Sequence, residues 1–324
     1  MTDALPALAA GAAAGAVMTR GGLCFNRALR RAAFERRPTL LRAFAIAVAA
    51  QLLLLPILVA AGVDPLARAT RAGGPVLLPV AQVLGGLCFG VGMALAGGCV
   101  TGMLWKAGTG AVALGIAIAG FAAGELLIRG PGDDLLATLD DAARPTTHAL
   151  PELLGVGYAG PALAVGILGL GMLLRRRRDG AVAGLALGVV AAVAWLAADL
   201  AGYGYGLGFV GAADGTRAAI ESGADAPFQL FLALGVVAGA ALAGPRRPSV
   251  PDGARATRAL VGGLLMGAGG SIAHGCNIGH GLTGLALGSF GSLLAIASMA
   301  AGALATWRLL LASRPALRGA ERLI

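Results

Sequence analysis

Long, nearly uncharged apolar runs recur along this chain and limit what it can fold into more than any other feature. Nine runs are read, at about residues 4–19, 41–62, 77–98, 109–128, 151–174, 181–200, 227–244, 257–275 and 291–312. A helix needs about 20 apolar residues to cross a bilayer. In lipid each spanning segment must also satisfy its own backbone hydrogen bonds, which a helix does. The expectation is an all-α polytopic membrane protein with about nine transmembrane helices. Only 13% of the 324 residues are charged, roughly half the share of a soluble domain. The 54 glycines suit a bundle in lipid, where close backbone approach replaces the hydrophobic force between helices.

Between some of these runs lie shorter Gly-rich stretches, near 20–34, 99–107, 202–222 and 276–290. They are too short or too interrupted to span alone and read as re-entrant or half-helices. The net charge of +9 is almost entirely arginine, Lys106 being the lone lysine. The arginines cluster on alternate connections: Arg20 to Arg42, Arg175 to Arg178, Arg246 to Arg258, and Arg314 to Arg322. Intervening loops are acidic or balanced, as at Asp133, Asp134, Asp140 and Asp141. The positive-inside rule then places the N-terminus outside and the C-terminus in the cytoplasm. Charge spread over loops, with no single basic patch, argues for the lipid bilayer as partner and against nucleic acid. The opening residues lack the basic start of a secretory signal, so the first run is expected to be retained. Four cysteines in or beside apolar runs do not form the framework of a small disulfide protein.

The chain also repeats itself. Residues 85–102 (GGLCFGVGMALAGGCVTG) align without gaps to residues 262–279 (GGLLMGAGGSIAHGCNIG), pairing Gly85 with Gly262, Gly92 with Gly269 and Cys99 with Cys276. A weaker echo sets Gly22-Leu23-Cys24-Phe25 beside Gly206-Leu207-Gly208-Phe209. Each half then reads span, short motif, span, span, short motif, span. The first repeat occupies 1–130 and the second 179–313, with a connecting helix in 151–178. One extra crossing between the halves inverts the second, and transporters so built bind their cargo near the midplane, at the repeat interface.

Three of the four motifs carry a cysteine: Cys24, Cys99 and Cys276. A glycine-flanked helix break, as at Gly98 and Gly275, exposes backbone N–H groups that attract anions. A thiol adds a soft, weak S–H donor. Together they suit a small sulfur-containing anion such as thiosulfate, whose terminal sulfur accepts S–H while its oxygens take N–H. Thiols in series offer successive weak sites, as conduction requires.

Asn26, Asn277, His274, His280 and Lys106 stand near these breaks as further candidate contacts. Each also has a plain role: a turn cap for the asparagines, a cap or lining for the histidines, an interfacial anchor for Lys106. Arg27 reads chiefly as a topology signal, and Cys88, aligned with Leu265, as packing. Glu125 and Asp199, near span ends, are expected at the interface. With no carboxylate marking a mid-helix ion site, facilitated passage is the expected mode. No cofactor is implied, and the Cys and His spacing matches no common zinc pattern.

The Cys24 motif, the AGGC at Cys99 and the HGCNIGHGLTG stretch at Cys276 resemble those of the YeeE/YedE family of bacterial sulfur transporters, over nearly the whole chain. The resemblance implies thiosulfate uptake across the bacterial inner membrane, with Cys24, Cys99 and Cys276 meeting the ion in turn along an hourglass-like centre. Gly208 in place of a fourth cysteine limits that relay to three thiols. Another sulfur or selenium oxyanion is an alternative cargo, and two other readings of function stay open. One is a membrane sulfur-transfer enzyme that carries a persulfide on a cysteine, with His274 or His280 as base. The other is a membrane subunit that supports a partner protein. A cytoplasmic thiol or sulfur carrier is a further expected partner.

Overall fold

In a computed structural model the described residues are 4–71, 77–141, 149, 155–176, 179–245 and 248–313. Residues 151–154, and Arg177, Arg178, Arg246, Arg247, Arg314, Arg318 and Arg322 of the basic clusters, lie outside them. Among the described residues every regular element is helical. They are α1 (Ala4–Gly21), α2 (Phe25–Phe34), α3 (Thr39–Ala60), α4 (Pro65–Arg71), α5 (Pro79–Ala96), α6 (Val100–Gly108) and α7 (Val112–Ile128). There follow α8 (Asp133–Asp141), α9 (Ala159–Arg176), α10 (Ala181–Leu200), α11 (Ala212–Ser222), α12 (Phe228–Ala243), α13 (Gly253–Ile272), a π-helical turn (Gly279–Gly284) and α14 (Phe290–Ser313).

A helix stands at each of the nine apolar runs, and the protein is an all-α polytopic membrane protein. Among the described residues five stretches are long and apolar enough to cross a bilayer unaided: Ala4–Phe34, Thr39–Ala60, Pro79–Gly108, Ala181–Leu200 and Phe290–Ala312. The first and third are broken helices, in which α2 continues α1 and α6 continues α5. The short segments after Gly21 and Ala96 therefore carry a span onward rather than folding back.

Local signals move some boundaries. α13 begins at Gly253, not 257, because the Asp252 carboxylate accepts the Arg255 N–H at 2.7 Å and caps the helix. Capping of this kind is worth about 1 kcal/mol. Two short helices were not expected. α4 is capped by Asp64, which accepts the Ala67 N–H at 3.0 Å, and starts on Pro65, the favoured first residue of a helix. α8 turns away from α7 by 72°, and none of its residues is buried.

Small residues set the packing. α1 lies against α12 and α10, α3 against α10 and α9, α5 against α13 and α14, and α7 against α13. At the α5–α13 crossing a Cβ on Gly85 would stand 2.6 Å from the Gly269 carbonyl oxygen, and one on Gly92 would stand 2.5 Å from that of Gly262. Residue numbers rise along α5 as they fall along α13, so the two helices run antiparallel. Midway, Cys88 donates its S–H to the Leu265 carbonyl at 3.4 Å, a packing role. The large apolar side chains left outside, such as Val182 and Leu242, face where lipid would lie.

Candidate anion site at the helix breaks

The three motif cysteines hold corresponding positions. Cys24 and Cys99 are the N-cap residues of α2 and α6, both with extended backbone. The Cys276 carbonyl accepts the His280 N–H at 2.9 Å, opening the helical stretch that runs into the π-turn. Each thiol therefore sits at the start of a short helix, where backbone N–H groups lack intrahelical partners. All three are buried.

Cys24 and Cys99 are brought together, their sulfurs 3.7 Å apart in hydrogen-bond contact. The Cys99 sulfur also accepts the Gly102 N–H at 3.4 Å and lies 3.5 Å from the Thr101 hydroxyl. Gly102 leaves the room for the pair: a Cβ there would come within 2.6 Å of the Cys24 sulfur and 3.2 Å of the Cys99 sulfur. Trp105 on α6 donates its indole N–H to the Leu23 carbonyl at 2.9 Å, tying one break to the other. Lys106 is half-buried, its ammonium 5.6 Å from the Trp105 ring centre.

Cys276 has a different set of neighbours. Its sulfur accepts the Gly279 N–H at 3.4 Å. Thr283 donates to the Leu207 carbonyl at 2.8 Å, as Trp105 does to Leu23, and Leu23 and Leu207 stand just before Cys24 and Gly208. Tyr205 donates to the Gly279 carbonyl at 3.0 Å and its ring packs on Trp195. The first two thiols thus form one paired site and the third a separate one.

The other candidates divide. Asn277 is 1% exposed, and neither its amide oxygen nor its nitrogen has a partner; the Asn26 oxygen is likewise buried and unpaired. A buried polar group left so costs about 1–3 kcal/mol, so both amides are placed to meet something polar. Gly98 has ordinary contacts with Met103 and Leu114, whereas a Cβ on Gly275 would strike the His280 ring at 2.7 Å. His280 is fully engaged: Nδ1 meets the Ser292 hydroxyl at 3.0 Å and Nε2 the Ala273 carbonyl at 2.9 Å. It pins the break to α14. His274 adopts a left-handed backbone (φ 58°), where its aligned mate is Gly97 (φ 76°). Its ring reaches out to Asp140 on α8 at 2.8 Å and does not join the thiol.

Glu125, in the last turn of α7, is wholly buried, and sequence reasoning missed its partner. Its Oε1 accepts the Ala213 and Asp214 N–H groups at 3.1 and 3.0 Å and caps α11. Asp199, half-buried, pairs with Arg68 of α4. Thr101, Gly102 and Trp105 were also missed, although they lie within a turn or two of Cys99; which of their atoms face the thiols depends on how α2 and α6 meet.

Comparison with known proteins fits this geometry. The family model described as "Sulphur transport" matches twice, over residues 20–183 and 170–305. The protein named thiosulfate transporter TsuA of Spirochaeta thermophila is 27% identical over 299 residues, covering 84% of this chain and 88% of that protein. Its namesake in Escherichia coli is 28% identical over 312 residues, covering 86% of each. With buried thiols at three helix breaks and a family match running from residue 20 to residue 305, the chain belongs to the sulphur-transport (YeeE/YedE) family.

Proposed function

We propose that this chain carries thiosulfate, or a closely similar sulfur anion, through the bacterial inner membrane into the cytoplasm by way of Cys24, Cys99 and Cys276. The observation that carries this reading is the Cys24–Cys99 pair, two neutral-capable thiols 3.7 Å apart at two helix starts. Sulfur is a weak acceptor, so the N–H groups it holds are readily given up to an anion's oxygens. The S–H groups can then turn to the anion's terminal sulfur. The unpaired Asn277 amide NH2 supplies a further donor beside Cys276, and Lys106 a cation near the first site. The names of the relatives in Spirochaeta thermophila and Escherichia coli point to the same cargo.

The proposal includes an inverted repeat of nine crossings, with the N-terminus outside, the C-terminus inside, and delivery to a cytoplasmic sulfur carrier. The α5–α13 crossing supports the inversion. Gly85 meets Gly269 and Gly92 meets Gly262, while the sequence pairs Gly85 with Gly262 and Gly92 with Gly269. Cys88 touches its own aligned mate, Leu265. A twofold axis through that contact exchanges the helices, and since they are antiparallel the axis lies across them, in the membrane plane. That the family model matches twice along the chain supports a repeat. Persulfide catalysis fits less well, because both His280 nitrogens are taken and His274 pairs with Asp140, so that neither of these two histidines is free to act as base for Cys276.

Uptake of labelled thiosulfate into proteoliposomes tests the reading, with Cys99→Ala and Cys276→Ala in parallel and sulfate, sulfite and selenite as competitors. Uptake undiminished in both variants would remove the thiols from the path. A sulfur atom retained on the protein, read by intact mass after exposure, would favour the enzyme.

A further inference from the structure

Between α6, α7, α11 and α12 lies a cavity of about 520 Å³ whose walls include Val100, Phe121, Phe209, Leu230, Glu125 and Arg217. Val100 is the residue after Cys99, and Phe209 lies in the segment that Tyr205 and Leu207 tie to the Cys276 break. The cavity therefore borders both thiol sites. Its one wholly buried acid is Glu125. Oε1 is held by the two N–H groups at the start of α11, but Oε2 is buried without a partner. A carboxylate kept inside a membrane protein with one oxygen free is costly, and such residues mark ion and proton sites by default.

We propose that Glu125 is a proton-binding site that couples anion uptake to inward proton flow, Oε2 being the atom that takes the proton. The inference rests on the transport reading above. Each negative charge moved inward against 100 mV, inside negative, is disfavoured by about 50-fold at equilibrium. A dianion moving alone is thus disfavoured by more than about 10³-fold, and one proton carried with it removes one of the two factors. The proton is taken up on the side from which the anion enters and released on the other. Ionised, Glu125 grips α11 through two charge-assisted bonds; protonated, the grip weakens, which ties the state of the acid to the position of α11 beside the cavity.

The charged and titratable groups around Glu125 come from α11, the end of α7 and the segment before α11. α11 contributes Asp214 and Arg217, which pair with each other at 2.7 Å, and Arg217 also meets Glu221 and the Arg129 carbonyl. Arg129 caps the end of α7, and the segment before α11 contributes Tyr203, which bonds Gln229 of α12. Where α13 crosses α7 it presents Gly267, Leu264 and Ala268, and no ionisable group.

The experiment uses the full chain in liposomes loaded with a pH dye. Thiosulfate added outside should acidify the lumen, and an alkaline lumen should speed uptake. E125Q keeps an oxygen to cap α11 but cannot take the proton. Its ratio of gradient-driven uptake to thiosulfate exchange should fall at least tenfold, and lumen acidification should vanish. Thiosulfate uptake by the native chain with no proton influx overturns the proposal and leaves the transport reading intact, as does unaltered proton influx in E125Q. Carbodiimide labelling of the native chain, mapped by peptide mass, decides the proton site without substrate or variant. An adduct on Glu125 that grows as pH falls supports it; none at any pH, with other carboxyls labelled, overturns it.

Discussion

The gap at Gly102 makes the thiol pair testable by a single methyl group. In Gly102→Ala the new Cβ would stand 2.6 Å from the Cys24 sulfur, 3.2 Å from the Cys99 sulfur and 3.5 Å from the Cys24 Cβ. The first distance is about 1 Å inside the ~3.5–4.0 Å optimum for nonbonded atoms. Neither sulfur can yield freely, since both are buried and Cys99 is held by the Gly102 N–H. Overpacking of this kind costs about 1–3 kcal/mol, offset in part by the roughly 1 kcal/mol that alanine gains over glycine in a helix. The net destabilisation should therefore be about 0–2 kcal/mol, read as a small fall in thermal midpoint by detergent-phase size exclusion. Uptake should fall much further, at least tenfold, because the 3.7 Å contact between the thiols must open. Gly115→Ala is the control: a Cβ there meets nothing within 4 Å, so stability should hold or rise slightly and uptake should persist. Native-like uptake by Gly102→Ala would refute the claim that the anion passes the paired thiols.

Three further substitutions probe the supports. Trp105→Phe loses the bond to the Leu23 carbonyl; with a buried acceptor left unpaired it should cost about 1–3 kcal/mol and slow uptake by loosening the first break, whereas an unchanged thermal midpoint would show that the tie is idle. Gly275→Ala puts a Cβ 2.7 Å from the His280 Nε2 and should displace the ring from Ala273 and Ser292, lowering stability by about 1–3 kcal/mol; a wild-type melting curve would contradict the pinning role. His274→Gly gives up an exposed pair with Asp140, worth about 0–1 kcal/mol, but relieves a left-handed backbone that glycine adopts freely. Stability should stay within about 1 kcal/mol and uptake should persist, and loss of uptake would place His274 on the anion path after all.

What the sequence alone determined follows from short-range rules. Membrane residence and an all-helical fold come from run length and charge, since each span must bond its own backbone wherever its neighbours lie. The breaks at Cys24, Cys99 and Cys276 were legible because glycines beside a polarisable residue interrupt an apolar period. α4 and α8 escaped because they are short and half polar, and the start of α13 moved because one aspartate caps it. Tertiary structure alone decided which breaks meet. It joined Cys24 to Cys99 across 75 residues of sequence and set Cys276 apart beside Tyr205 and Gly279. It turned His274 toward Asp140 and drew both nitrogens of His280 into the scaffold. It also buried Glu125, whose apolar run suggested only a span end. That placement depends on α11 arriving with its first N–H groups bare, and no local pattern around residue 125 records where residues 213 and 214 will come to lie.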